Sequence, residues 1–253
     1  MLINFGKEKN LCNDNIICNF NLKNFMNASS IEKINLELFL YGFSVLTPHE
    51  NKSKDNYLTN FQREMKYLKI NNSKENKNYI GGDFLKIESR EIFLNSKYSH
   101  YKNFHNSNIK IINLLKKSRG FCLDSIFRTL DTKDSKHIAQ QTHFDRIPTL
   151  KFMLYVNDIN ESNGAFCLSP SSHNWVNQNF GKFRTLSQSR KYAKLSRSIP
   201  QSILDKLEPI EGKAGTLIIF NTNCVHNQGK VHEGSCKIAR AHYRKKFLKF
   251  NFI

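Results

Sequence analysis

The sequence has no Cys-x-x-Cys pair, although it contains six cysteines. Zinc-knuckle and thioredoxin-type sites therefore lack their usual ligand spacing. Several of these cysteines lie in apolar runs, where a free thiol behaves as a small hydrophobic side chain, and this favours a reducing compartment. No apolar stretch approaches the roughly 18 residues of a membrane span, and the opening residues MLINFGKEKN hold no long apolar segment. We expect a cytoplasmic protein without a membrane span.

Acidic residues are scarce relative to basic ones, since 21 Asp and Glu stand against 39 Lys and Arg and give a net charge of +18. Such an excess points to nucleic acid or another anionic surface as a partner. The cations are scattered and mostly lysine, however, and no basic segment interleaved with aromatic residues is visible. A solvated surface of biased composition explains the charge as well, so nucleic acid is the less favoured partner.

The apolar content is high enough for a sizeable core, because 39% of the 253 residues are hydrophobic and 12% are aromatic. This composition excludes a disordered polyelectrolyte. No internal repeat and no clear linker divides the chain. We therefore expect one domain over residues 1–253, with a helical front at about 1–119 and a β-rich core at about 120–250.

The helical front begins with Ser29-Ser30-Ile31-Glu32, which has the Ser-x-x-Glu form of a capping box. Gly42 stands where that helix should end, and a short strand is expected at 43–46. The next helix is predicted from apolar residues at helical spacing, which are Leu58, Phe61, Met65 and Leu68.

A polar stretch at 71–78 is predicted to form a surface loop. A third helix is predicted to start at Ser107 and to stop near Gly120. Beyond it the pattern changes to short apolar runs separated by turns, with one helix after Pro200 inside a polar stretch at 180–209. The predicted strands are 121–130, 150–156, 164–168, 216–220 and 237–243. Strands without regular helical crossovers indicate an antiparallel barrel or sandwich.

His143 and Asp145 stand two positions apart, so an extended backbone projects both side chains from one face. His226 follows the predicted strand 216–220. Two imidazoles and one carboxylate form the facial triad of non-haem Fe(II), which leaves three positions open for a bidentate co-substrate and dioxygen. No His-Glu-x-x-His helix is present to support a zinc hydrolase instead. A surface His beside an acid remains the alternative.

A dicarboxylate co-substrate would need a second anchor, and the last predicted strand offers one. Strand alternation sets Ile238, Arg240 and His242 on one face and Lys237 on the other. Arg240 in a largely apolar strand suits a bidentate grip on a carboxylate, with an outward-facing cation of the basic tail as the alternative interpretation. Lys237 is the competing anchor. Lys151 interrupts another apolar strand and could meet 2-oxoglutarate or an acidic substrate, or reach solvent.

The ordered set of motifs resembles the phytanoyl-CoA dioxygenase-like branch of the Fe(II)/2-oxoglutarate oxygenases. The resemblance covers about residues 120–244, and less clearly Tyr41-Gly42-Phe43-Ser44-Val45-Leu46. The motifs are His143-x-Asp145, Leu150-Lys151-Phe152-Met153-Leu154-Tyr155-Val156, Asn163-Gly164-Ala165-Phe166, Ser169-Pro170-Ser171-Ser172-His173, Gly215-Thr216-Leu217-Ile218-Ile219-Phe220, His226 and Arg240.

The resemblance implies a mainly β fold, a double-stranded β-helix with flanking N-terminal helices. It also implies iron held by His143, Asp145 and His226, and 2-oxoglutarate and O2 as co-substrates. The distal carboxylate would be held by a basic residue on the last core strand, where Arg240 is preferred to Lys237.

The chain departs from the family at two places. The family commonly reads Pro-Gly-Ser-His where this chain has Pro170-Ser171-Ser172-His173, so the turn is expected to differ. The family's anchoring Arg also varies in its distance from the second His, and here Cys236 and Lys237 precede Arg240.

The resemblance implies hydroxylation of a small molecule with release of succinate and CO2. Related halogenases lack the carboxylate that Asp145 supplies, so halogenation is disfavoured, whereas desaturation and ring closure stay open. An anionic substrate is favoured if Lys151 and Arg128 face the cavity. The rival interpretations are a nucleic-acid-binding or nucleic-acid-demethylating protein and a catalytically silent β-helix that serves as a binding module.

Overall fold

The computed structural model describes residues 31–66, 68, 79–115, 120–145, 147–181 and 199–245. Three sequence predictions fall outside these ranges in whole or in part. They concern the capping serines Ser29 and Ser30, the polar loop 71–78, and most of the polar stretch 180–209.

Most helices of the described chain lie in its front part and most strands follow them, as the sequence predicts. The helices are α1 Ile31–Leu40, α2 Leu58–Lys66, α3 Ser89–Leu94, α4 Ser99–Leu114, α5 Ser172–Phe180 and α6 Gln201–Leu204. The strands are β1 Phe43–Leu46, β2 Tyr79–Ile80, β3 Asp83–Glu88, β4 Phe121–Asp131, β5 Lys136–His137, β6 Leu150–Tyr155, β7 Phe166–Leu168, β8 Glu208–Ile210, β9 Leu217–Asn221, β10 His226–Gln228 and β11 Cys236–Lys245. Within these ranges no helix is long and apolar enough to cross a membrane.

Two antiparallel sheets pack face to face. The larger has the strand order β1-β9-β6-β11-β4-β3, and the smaller has the order β10-β7-β8. Between them lies an apolar cluster that includes Met153 and Tyr155 from the larger sheet and Phe166 and Ile210 from the smaller one. This face of the larger sheet is called the inner face below.

The other face of the larger sheet, the outer face, is covered by the helices of the front. Residues on β6 alternate between the two faces, so that Phe152 and Leu154 point to the outer core while Lys151 and Met153 point to the inner one. The buried side of α2, formed by Leu58, Phe61 and Met65, belongs to this outer core. A strand with two buried faces explains why β6 is almost entirely apolar in sequence.

The third helix prediction was wrong in its start, because α4 begins at Ser99 and not at Ser107. Its buried stripe runs through Tyr101, Phe104, Asn108 and Ile112. Three of these four residues are aromatic or polar. The aliphatic pattern that marks a helix in sequence appears only in the last two turns of α4. The short elements α3, β3 and α5 were not predicted.

Arg128 points to the outer face, so it does not contribute to a cavity beside the metal motif, which is one of the two orientations that the sequence left open. Its guanidinium forms an ion pair with Glu64 of α2 and lies 2.7 Å from Asp83 Oδ2 of β3. Glu64 also accepts hydrogen bonds from Tyr101 Oη at 3.0 Å and contacts His100 Nε2 at 2.7 Å. Arg128 therefore ties two helices to the sheet.

We predict that Arg128→Met lowers the free energy of unfolding by about 3 kcal/mol, because it leaves two largely buried carboxylates without their cation. Urea denaturation followed by circular dichroism measures the change. The matched control is Lys213→Met, which removes an ion pair with Asp158 at the surface and should leave the midpoint unchanged. Equal midpoints for the two variants would contradict the role given to Arg128.

Candidate metal centre

His143 and His226 are paired through their backbones. The amide of His143 donates to the His226 carbonyl at 2.9 Å, and the amide of His226 donates back to the His143 carbonyl at 2.8 Å. Residues that face each other in this way have side chains on the same side of the pair, and the two ring centroids lie 4.4 Å apart. Residues far apart in sequence thus present their imidazoles at one point.

Both imidazoles have their tautomer fixed by a local hydrogen bond. His143 Nδ1 lies 2.7 Å from the carbonyl oxygen of Gln141, and His226 Nδ1 lies 2.7 Å from that of Cys224. A carbonyl oxygen only accepts, so each Nδ1 carries the proton and each Nε2 keeps a free lone pair. Such orientation by a backbone carbonyl is typical of metal-binding histidines.

Asp145 completes the cluster. Its amide donates to the Thr222 carbonyl at 2.9 Å, which fixes the segment against the end of β9. Its Oδ1 lies 3.6 Å from the Nε2 atoms of both His143 and His226. The three possible ligand atoms are all within 4.8 Å of one another.

The donor set fits a divalent transition metal. His226 Nε2 is buried and has no hydrogen-bond partner among the described residues, as expected for an atom whose partner is a bound ion. Two imidazoles and one carboxylate suit iron, whereas the absence of thiolates from the set makes a structural zinc site a poor match.

The electrostatics keep Asp145 and His226 in their metal-binding protonation states. Burial raises the pKa of Asp145, but the attraction of Lys151 is the foremost opposing cause, and that pKa lies well below its usual value. Burial, followed by the neighbouring His143, lowers the pKa of His226 to about 4. At neutral pH Asp145 is therefore ionised and His226 is neutral.

Apolar side chains surround the cluster. Phe144, which stands between His143 and Asp145, packs in a small core with Val176 and Val225. On the other side, the rings of Phe166 and Phe220 lie 5.6 and 5.3 Å from the His226 ring. These contacts leave His226 almost fully buried and limit its access to water.

Lys151 lies within the same site. Its Nζ is 2.8 Å from Asp145 Oδ2, and its side chain is 10% exposed. The sequence left open whether this residue meets a buried anion or reaches solvent. The structure brings it onto Asp145, which is a buried anion of the site itself.

Three polar residues of β11 follow one another on the inner face, and they are Arg240, His242 and Arg244. His242 pairs with Lys151 in the sheet. Two residues earlier on β11, Arg240 pairs with Met153. The Nε atoms of both arginines and Nε2 of His242 are buried and have no hydrogen-bond partner among the described residues. Burial, followed by the charges of Lys151 and Arg240, holds the pKa of His242 well below its usual value.

Lys237 lies on the opposite face of β11. It pairs with Leu130 of β4, while Arg240 pairs with Phe127. Strand alternation therefore turns the Lys237 side chain away from the metal cluster, and its placement does not match an anchor beside the cluster. Arg244 is a possible site residue that sequence reasoning missed. The strand alternation that places Arg240 on the inner face also places Arg244 there.

The turn at Pro170-Ser171-Ser172-His173 carries a serine where the family commonly has a glycine. Ser171 has φ +60°, which glycine adopts at lower cost. Its hydroxyl and amide donate to the carbonyls of Leu40 and Tyr41, so the turn holds the end of α1. His173 packs against Gly42, where a Cβ would collide with it, which explains the glycine and gives His173 a packing role.

Comparison with known proteins supports one family. Residues 116–235 match the family described as Phytanoyl-CoA dioxygenase (PhyH). A comparison with curated proteins gave no match.

Several solved structures share the fold. The epimerase SnoN from nogalamycin biosynthesis, in complex with Fe3+, alpha ketoglutarate and nogalamycin RO, has a TM-score of 0.60 and 14% identity, covering 85% of this chain and 83% of that chain. AviO1 from Streptomyces viridochromogenes Tue57 has a TM-score of 0.56 and 12% identity, with 87% and 97% covered. HygX from Streptomyces hygroscopicus, with nickel and 2-oxoglutarate bound, has a TM-score of 0.51 and 14% identity, with 85% and 87% covered.

At these identities the structural likeness establishes the fold, which is the predicted double-stranded β-helix with helices on its outer face. The family match adds the class of chemistry, because this family uses Fe(II), 2-oxoglutarate and O2. Residues 116–235 are thus similar to the phytanoyl-CoA dioxygenase family of Fe(II)/2-oxoglutarate-dependent enzymes.

Proposed function

We propose that this protein hydroxylates an unactivated C–H bond of a small molecule, with His143, Asp145 and His226 as the ligands of Fe(II). The observation that carries the proposal is the convergence of their three ligand atoms within 4.8 Å. Both histidine Nδ1 atoms are already engaged with backbone carbonyls, so the Nε2 lone pairs are free for the metal. When bound, iron with 2-oxoglutarate and O2 supplies the oxidant and releases succinate and CO2.

Asp145 supports hydroxylation over halogenation, because a halogenase of this type needs the position of that carboxylate for a halide. The same fold also carries other outcomes, since SnoN is described as an epimerase and SnoK as a carbocyclase. We favour hydroxylation because it is the outcome that the resemblance to the phytanoyl-CoA dioxygenase family implies.

Arg240 is the proposed anchor for the distal carboxylate of 2-oxoglutarate. It lies on the inner face, two residues along β11 from His242, and pairs with Met153. Its Nε is buried without a partner among the described residues, and its guanidinium lies 5.9 Å from the Phe127 ring centroid. A guanidinium in this setting favours a carboxylate that it can bind through two hydrogen bonds. Lys151 is less suited because Asp145 already engages its ammonium.

An anionic substrate group is also proposed. The inner face has three cations, which are Lys151, Arg240 and Arg244, and two carboxylates close to them. Asp145 pairs with Lys151, and Asp124 lies 3.5 Å from Arg244. The inner face thus carries a surplus of positive charge beyond what its own acids balance. A ferrous ion and doubly charged 2-oxoglutarate cancel each other, so the surplus remains available to a substrate carboxylate or phosphate.

The ligand assignment predicts that His143→Ala and His226→Ala each abolish Fe(II) binding and the decarboxylation of 2-oxoglutarate, because either change leaves two protein ligands. Anaerobic Fe(II) titration and succinate formation are the measurements. His232→Ala serves as the control, since His232 is exposed on a loop. Substantial turnover by either site variant would refute the assignment.

The anchor assignment predicts that Arg240→Met weakens 2-oxoglutarate binding by about 10- to 100-fold, which corresponds to the loss of a charged hydrogen-bonded contact. Lys237→Met, which removes the same charge from the opposite face of the same strand, should change the affinity by less than about threefold. Equilibrium titration of each metal-loaded variant with 2-oxoglutarate decides between Arg240 and Lys237 as the anchor. A larger loss for Lys237→Met would reverse the choice of anchor.

A further inference from the structure

The two oxygens of Asp145 have different partners. Oδ1 faces the imidazoles, at 3.6 Å from the Nε2 of His143 and of His226. Oδ2 faces away from them and lies 2.8 Å from Lys151 Nζ. The carboxylate is therefore held by one oxygen before any metal arrives.

Lys151 is itself held firmly. It lies in the second position of β6, between β9 and β11, where it pairs with Phe220 on one side and His242 on the other. Its ammonium is 5.7 Å from the Phe220 ring centroid. The nearby polar groups of β11, Arg240 and Arg244, are cations that repel it, so Asp145 is the favourable partner within the described site.

From this geometry we infer that Lys151 is a positioning residue that restricts Asp145 to one-oxygen coordination of the metal. The inference rests on the proposed function, in which Asp145 is a ligand. It assigns to Lys151 a task different from binding 2-oxoglutarate, and it gives a reason for a lysine inside an apolar strand.

The number of open coordination positions depends on this restriction. Carboxylates bind metals through one or both oxygens. Three single-atom ligands leave three of six octahedral positions free, which is the number that a chelating 2-oxo acid and O2 require. If both Asp145 oxygens bound the metal, one of these positions would be lost. Lys151 prevents this by keeping Oδ2 in a charge-assisted hydrogen bond.

The first test uses Co(II) alone, whose visible absorption intensity reports its coordination number and geometry. Lys151→Met keeps the apolar stem of the side chain and frees Oδ2. We expect its Co(II) spectrum to differ from that of the unmodified protein in the absence of any 2-oxo acid. Lys151→Arg, which retains a charged donor, should restore the original spectrum, and Arg240→Met should leave it unchanged.

The second test compares 2-oxoglutarate with 2-oxobutyrate, which has the same chelating end and no distal carboxylate. At saturating metal, Lys151→Met should weaken the binding of both acids by a similar factor of about 10, the lower end of the range for partners of metal ligands. Arg240→Met should weaken only 2-oxoglutarate. Thermal unfolding of the metal-loaded variants confirms that each is folded.

The outcomes separate this inference from the function on which it rests. If Lys151→Met leaves the Co(II) spectrum unchanged, or weakens 2-oxoglutarate alone, Lys151 acts on the co-substrate and the inference is overturned. If the unmodified protein fails to bind Co(II) or Fe(II), the proposed metal site itself is wrong.

Discussion

The reciprocal backbone hydrogen bonds between His143 and His226 are the constraint on which the site depends. This single pair, at 2.9 and 2.8 Å, closes the smaller sheet against the segment that carries Asp145. It brings the two imidazoles to one point, where their ring centroids lie 4.4 Å apart. Because each Nδ1 is bound to a carbonyl only two residues earlier, the backbone also fixes which nitrogen faces the cavity.

The two faces of the larger sheet divide the charged residues into different roles. On the outer face, Arg128 is neutralised by Glu64 and Asp83 and stabilises the packing of helices on the sheet. On the inner face, Lys151 has one acid and Arg240 has none among the described residues. The net charge of +18 therefore says little about function as a total. The small group of cations on the inner face is the part that bears on chemistry.

Much of this arrangement could be predicted from the sequence, because strand alternation is a strong local signal. Three sequence patterns agree with the structure. They are the spacing of His143 and Asp145, the position of β9 before His226, and the alternation of side chains between the two faces of β11. The partner of Lys151 could not be predicted, since the contact joins β6 to a loop whose path is set by the Thr222 carbonyl. The acidic partners of Arg128 could not be predicted for a similar reason, because Glu64 and Asp83 come from elements that the sequence patterns did not place together.

The measurement that tests the central claim most directly is an anaerobic crystal structure with Fe(II) and 2-oxoglutarate. The account predicts one iron bound by His143 Nε2, Asp145 Oδ1 and His226 Nε2, with Asp145 Oδ2 still held by Lys151 and the distal carboxylate of 2-oxoglutarate on Arg240. Iron bound elsewhere, or bound without one of these three side chains, would contradict it.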